Sequence, residues 1–220
     1  MKIACLQFNP IQENTYVVWD DTLEAVVIDA GNSNPREDAA LDNFIAEHGL
    51  RPVLAANTHG HFDHTLGVEH LKQRYGVPFA LSSKDRFLLD NAATSGSVFG
   101  VKIGAMPAAD LDLDTQSEVR FGNTALRVIR TPGHTPGSVV LLCGEHLFCG
   151  DTLFAGSIGR TDLEGGSSAQ MADSLRKLAQ LPIPRETQVL PGHGEFSTFG
   201  AELDNNYYIR SALRGGNDIF

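Results

Sequence analysis

Within Thr58-His59-Gly60-His61-Phe62-Asp63-His64 this chain places three imidazoles and a carboxylate side by side. Few folds can absorb such a run. Buried polar groups need partners, and imidazoles held close together repel one another once protonated. If a strand ends near Thr58, His59 and His61 point the same way, because alternate residues of an extended chain share a face. Asp63 and His64 then fall in the first turn of a following helix and aim at a neighbouring point. Such nitrogen and oxygen donors suit zinc, iron or manganese. The alternative, a solvated histidine-rich loop, loses ground when the remaining donors are counted.

Those donors recur at strand-to-loop junctions. His134 lies in Thr131-Pro132-Gly133-His134-Thr135-Pro136-Gly137, a rigid turn between two strand-like runs. Asp151 follows the apolar run Leu147-Phe148-Cys149-Gly150, and His193 follows another in Leu190-Pro191-Gly192-His193-Gly194. Each alone reads as an ordinary turn residue. Together they stand where active sites on layered α/β folds are built. Five of the eight histidines fall in these motifs; His48, His70 and His146 do not cluster and read as structural or surface residues.

Short apolar runs alternate with helical patterns, so the class is α/β or α+β. Strands are expected over 3–8, 15–19, 25–29, 52–56, 117–121, 124–130, 138–143, 146–149 and 186–190. A helix is expected after Asn34, with Pro35 in its first turn and Glu37 three residues beyond the cap. Further helices are expected over 66–75, 169–180 and 199–213. The glycine-rich stretch from Gly156 to Ser168 lacks the strand and helix context of a nucleotide loop and reads as a surface loop beside the site.

The formal net charge of -10 argues against nucleic acid and anionic membranes as partners, since both require a basic face. No window is apolar enough for a bilayer, and the start of the chain lacks the pattern of a secretion signal. Three widely spaced cysteines make no disulfide framework; Cys5, Cys143 and Cys149 read as small core residues. A cytoplasmic protein is expected. Oligomeric state is not legible.

The order THxHxDH, PGHTPGS, GDTLF and PGHG resembles the metallo-β-lactamase fold, and more narrowly its glyoxalase II-like branch, from about residue 12 to about 206. The resemblance implies a single domain over 1–220, an αββα sandwich of two similar halves with metals at one edge between the sheets. It implies two divalent metal ions, zinc first, with iron or manganese as alternatives. His59, His61 and His134 would hold one, Asp63, His64 and His193 the other, and Asp151 would bridge them. Asp29 matches the family's early-strand acid, expected to fix the metal loop by hydrogen bonds rather than to bind metal. Asp63 would also orient the nucleophilic water.

The same resemblance implies hydrolysis of a glutathione thioester, S-D-lactoylglutathione to D-lactate and glutathione, as in methylglyoxal detoxification. The alternatives are an iron-dependent persulfide dioxygenase and a hydrolase of another small thioester or ester. Zinc β-lactamases are secreted and usually carry cysteine at the position of Asp151, and the nucleic-acid-cutting relatives carry a further inserted domain. The chain departs from full-length glyoxalase II in ending too soon after His193 for the C-terminal glutathione-binding domain. It also carries Ser157-Ile158-Gly159-Arg160-Thr161-Asp162 where those enzymes have a lysine and an aromatic residue. Arg160 is the candidate for a substrate carboxylate, with an ion pair to Asp162 or Glu164 as the alternative. Tyr207 is a candidate for the substrate entrance, or a residue of a helix packed on the sandwich.

Overall fold

Val17 and Trp19 pack on one side of their strand, and Tyr16 and Val18 on the other. That two-sided burial marks a sheet covered on both faces. The structure, a computed structural model, describes residues 1–215. Strands β1 (Lys2–Phe8), β2 (Glu13–Trp19) and β3 (Glu24–Ile28) form an antiparallel meander. Parallel pairing adds β4 (Arg51–Ala56), β5 (Phe79–Leu81) and β6 (Leu111–Asp112), completing a six-stranded sheet in sequence order. The second sheet contains β7 (Glu118–Phe121), β8 (Thr124–Arg130), β9 (Val139–Cys143), β10 (His146–Gly150), β11 (Gln188–Pro191) and β12 (Ser197–Thr198). Its order is β12-β11-β10-β9-β8-β7, with β10 and β11 parallel.

Parallel neighbours need crossovers, and these supply the outer layers. Helix α1 (Pro35–Glu47) connects β3 to β4. Two helices, α2 (Phe62–Thr65) and α3 (Val68–Tyr75), connect β4 to β5. Next come α4 (Arg86–Asp90) and α5 (Ala92–Val98), before β6. Helix α6 (Ser168–Gln180) joins β10 to β11, and α7 (Phe199–Asn205) and α8 (Tyr207–Leu213) follow β12. Among the described residues, no helix is long and apolar enough to cross a membrane.

Three apolar layers hold the sandwich together. Tyr16, Ile28, Phe121, Leu126, Leu141 and Phe148 belong to the core between the sheets. Leu41, Ile45, Leu71 and Phe79 pack α1 and α3 on the outer face of the first sheet. Met171, Leu175, Leu178, Phe199 and Ile209 do the same on the second. Each fully buried side chain of this size contributes about 1.5–3 kcal/mol from area removed from water.

Local chemistry accounts for the element ends. Asn34 caps α1, its side-chain oxygen accepting the N–H groups of Arg36 and Glu37 at 3.1 Å each. Glu37 does not close the expected box on Asn34; its carboxylate instead accepts the N–H groups of Ser33 at 2.7 Å and Asn9 at 3.2 Å. The helix expected over 66–75 is α3, which starts two residues later at Val68 and is separated from α2 where Gly67 N–H bonds back to Ala30 O at 2.7 Å. The helix expected over 199–213 breaks at Asn206, extended at ψ 115, whose side chain caps α8. The short elements β5, β6, α4, α5 and β12 carry too few residues for a readable period.

Cys143 and Cys149 are buried as expected, but Cys5 is exposed. It lies on β1, at the edge of the sheet, where no further strand covers it. Partial burial still pushes its thiol up to about 11.

Candidate metal centre

The four histidine and aspartate motifs arrive from separate strand ends and converge at one edge of the sandwich. The turn after β4 carries His59 and His61, and α2 carries Asp63 and His64. The β8–β9 turn brings His134, the end of β10 brings Asp151, and the turn after β11 brings His193. His61 Nδ1 lies 3.1 Å from His59 Nε2 and 2.8 Å from His134 Nε2, so three ring nitrogens face one point. A second group gathers His193 Nε2, 3.2 Å from His64 Nε2 and 3.2 Å from Asp63 Oδ2. Asp151 lies between the groups, with Oδ2 3.4 Å from His134 Nε2 and Oδ1 3.4 Å from His64 Nε2. In each trio the donor atoms lie within 4.8 Å of one another, close enough to share an ion.

Electrostatics set the protonation of this cluster. Burial, together with the neighbouring His64 and His134, holds His59 well below its usual range. Burial and His134 bring His61 down to about 4. Both rings are therefore neutral at neutral pH, the form that ligates metal. Burial opposes ionisation of Asp151, but His64 and His134 outweigh it and hold the carboxyl well below the carboxylate range. Burial likewise disfavours a charged His64, yet Asp63, Asp151 and Asp29 push it upward. Asp63 and Asp151, which raise it, are carboxylates that a bound cation would satisfy instead. Asp151 Oδ1 is buried with no hydrogen-bond partner, as expected of an oxygen shaped for an ion. The donor set fits two divalent metals.

A supporting layer holds these side chains. Asp29, in the left-handed region at φ 51, accepts Thr58 N–H at 2.6 Å and Thr58 Oγ1–H at 2.7 Å. Its Oδ2 is also 3.2 Å from His64 Nδ1. His134 Nδ1 faces Arg160 O at 2.7 Å, which fixes the ring and leaves Nε2 toward the cluster. Asn14 Nδ2 donates to Pro191 O and Gly194 O, both at 3.1 Å, and Tyr16 OH donates to Pro191 O at 2.6 Å. These bonds clamp the His193 turn onto β2.

Two supporting acids escaped the sequence reading. Glu13 is fully buried 3.9 Å from His64 Nδ1, and burial pushes its carboxyl well above the usual range. The strand expected over 15–19 starts two residues earlier, at Glu13, and is buried along its whole length. Asp85 lies in the helical turn Ser83–Asp85 after β5. It accepts Gly60 N–H at 2.9 Å, Thr135 Oγ1–H at 2.7 Å and Gly137 N–H at 2.7 Å, tying the two histidine loops together. Nothing in the local sequence marks that role.

A cavity of about 620 Å³ opens over the cluster, lined by His61, Asp63, His134, Asp151 and His193. Gly159 and Arg160 also line it, so the glycine-rich stretch does sit beside the site. Arg160 donates to both Asp162 oxygens, at 2.7 and 2.8 Å, which is the ion-pair alternative. Tyr207 does not line the cavity; it is exposed at the start of α8 with its ring edge-on to Tyr208. His48 stacks on Phe44, His70 faces Asp42, and His146 sits in β10 away from the cluster.

Known proteins resemble this chain in sequence and fold. Residues 8–193 match the model of the metallo-beta-lactamase superfamily. A probable metallo-hydrolase of Bacillus subtilis, YqgX, is 32% identical over 95% of this chain and 98% of its own. The hydroxyacylglutathione hydrolase GloC of Haemophilus influenzae is 31% identical over 96% and 99%. Among solved structures, the BLEG-1 B3 metallo-beta-lactamase superposes with TM-score 0.85 at 35% identity, covering 94% of this chain and 99% of that one. TTHA1623 in a di-iron-bound form gives 0.82 at 33%, covering 93% and 99%. ETHE1 from Myxococcus xanthus gives 0.77 at 28%, covering 97% and 90%. With two six-stranded sheets, donors converging from four strand ends, and a family match that reaches from before the first motif to His193, the chain belongs to the metallo-beta-lactamase superfamily.

Proposed function

We propose that this protein is a dinuclear metal-dependent thioester hydrolase that splits S-D-lactoylglutathione into D-lactate and glutathione. The carrying observation is Asp151, whose two oxygens each stand 3.4 Å from a different histidine group. His59, His61 and His134 hold one divalent ion, and Asp63, His64 and His193 hold the other. Zinc is the first choice, and iron or manganese suits the same mixed donors; a di-iron-bound neighbour supports iron. Bound there, the ions supply an acidified water and polarise the substrate carbonyl.

The chain's own residues orient and protect that chemistry. Asp63 faces the cavity and positions the attacking water through a carboxylate oxygen. Water supplies the new C–O bond, the C–S bond breaks, and the thiol departs with the proton. Asp29 fixes Thr58, and through it the loop bearing His59 and His61. Arg160, at the cavity wall, exchanges Asp162 for a substrate carboxylate. The similarity to GloC supports glutathione as the thiol. The site needs no nucleic acid or membrane partner, and a cytoplasmic setting suits a glutathione thioester.

The similarity to ETHE1 supports a second reading, an iron-dependent persulfide dioxygenase. One experiment separates the two. Purified, metal-loaded protein is given S-D-lactoylglutathione with and without chelator, and in parallel glutathione persulfide in an oxygen electrode. Chelator-sensitive loss of thioester absorbance, abolished in Asp63→Ala, supports the hydrolase. Oxygen uptake with an intact thioester refutes it. A β-lactam belongs in the same panel because of the similarity to BLEG-1.

A further inference from the structure

The cavity above the candidate metal centre is charged at its floor and apolar along one wall. The wall begins at Phe62, directly before Asp63, and continues through Leu88 to Val98 and Phe99 at the end of α5. Phe62 is buried, and its ring lies 5.5 Å from that of Phe99. Val98 is 80% exposed and Phe99 58%, although both line the cavity. Leaving such side chains in water forgoes the burial free energy that aromatic and branched residues normally return. A Cβ on Gly96 would stand 2.4 Å from Ile103 Cδ1, so α5 lies close against the segment that follows it.

The rest of the lining mixes Ile11, Phe154 and Leu163 with polar groups and offers little positive charge. Among the described lining residues, Arg160 is the sole base outside the histidine cluster, and Glu164 lines the cavity beside it. The Arg160 guanidinium is already engaged by both oxygens of Asp162. A thioester has one charged half, the peptide thiol, and one half free to be uncharged. The charged half matches the Arg160 flank. Asn91, at the cap of α5, and Ser95 within it also line the cavity, but Phe62, Leu88, Val98 and Phe99 carry no polar side-chain atom and gain from being covered by hydrocarbon. The cavity falls within the usual range for small-molecule sites, about 300–1,000 Å³.

We propose that Phe62, Leu88, Val98 and Phe99 form an acyl subsite for an unbranched apolar chain of about four to six carbons, making medium-chain acyl thioesters better ligands than lactoyl thioesters. This subsite rests on the hydrolase reading of the same cavity. Full burial of each methylene is worth a factor of about three to four in affinity, and a partly open wall returns a fraction of that.

The test uses thioethers, which bind without being cleaved. S-methyl-, S-butyl- and S-hexylglutathione are titrated calorimetrically into metal-loaded protein, with Phe99→Ser and Val98→Ser in parallel. Both positions are exposed, and unchanged unfolding temperatures establish that each variant is folded. The Kd is expected to fall at least tenfold from methyl to hexyl, and the gradient to shrink at least threefold in each variant. Equal affinities along the series in the wild-type protein overturn the acyl subsite, whatever thioesters are turned over. An unchanged gradient in both variants overturns the assignment to the α5 wall. A steep gradient, lost in the variants, in a protein that leaves every thioester intact upholds the apolar subsite and removes the hydrolase reading alone.

Discussion

Replacing Asp85 by alanine tests whether the metal centre depends on a residue that cannot itself reach the metals. The Asp85 side chain is buried, and its three acceptor bonds join the loop of His59 and His61 to the loop of His134. Alanine leaves the N–H groups of Gly60 and Gly137 without acceptors, at about 1–3 kcal/mol each. The Thr135 hydroxyl suffers less, because it keeps Ser138 Oγ at 2.8 Å. Removing Asp85 also relieves the burial that pushes its own carboxyl upward, which offsets part of the loss. The net cost is about 2–4 kcal/mol, or about 4–16 °C in Tm for a chain of this size. Asp85→Asn should recover little, since its amide nitrogen would meet a backbone N–H. Asp85 packs directly on the Gly137 backbone, where an added Cβ would stand 2.6 Å from Asp85 Cγ. Calorimetry in chelator isolates the folding term. Metal titration should then show a 10–100-fold weaker site at His59, His61 and His134, with a smaller change at Asp63, His64 and His193. A Tm within 2 °C of wild type together with unchanged metal affinity would refute this account of the clamp.

Other perturbations probe the remaining links. Asp151→Ala should lower bound metal from two ions per chain to one or none by elemental analysis, and cut thioester turnover at least a hundredfold; two retained ions would contradict the bridging role. Arg160→Ala should raise KM for a glutathione thioester about tenfold with kcat nearly unchanged; an unchanged KM would mean that the guanidinium serves Asp162 alone. Asp20 accepts bonds from Thr22 beside it, from Asn123 in the β7–β8 turn and from Thr124 at the start of β8, holding its carboxyl at about 2 against a reference of 3.8. Because the folded value is depressed, that stabilisation is complete above pH 3.8 and lost as pH falls toward 2. The Tm difference between wild type and Asp20→Asn should therefore narrow over that window, and a constant difference would count against it. Leu141→Ala, at the centre of the inter-sheet core, should cost about 2–5 kcal/mol in denaturant unfolding.

The local sequence was enough for the elements with a clear period and for the donors packed within one turn. The strand from 124 to 130 and α1 with its Asn34 cap were legible because propensity, patterning and capping agree there. His59, His61, Asp63 and His64 were legible because four costly side chains share a few residues. Other features were settled only by contacts between distant segments. Leu66 and Gly67 continue a helical pattern, but the chain turns there because Ala30, far away in sequence, accepts the Gly67 N–H. Cys5 looks like a core residue until β1 is found at an uncovered edge. Tyr207 is an entrance candidate in the sequence, yet it follows the break at Asn206 and stands outside the cavity lining. Asp85 is one more turn acid in the sequence, and its role exists only because folding brings Gly60 and Gly137 to it. Chemistry confined to neighbouring residues can be read directly from the chain; hydrogen bonds, edges and cavity walls that join remote segments are decided by the tertiary structure, because only packing sets which remote groups meet.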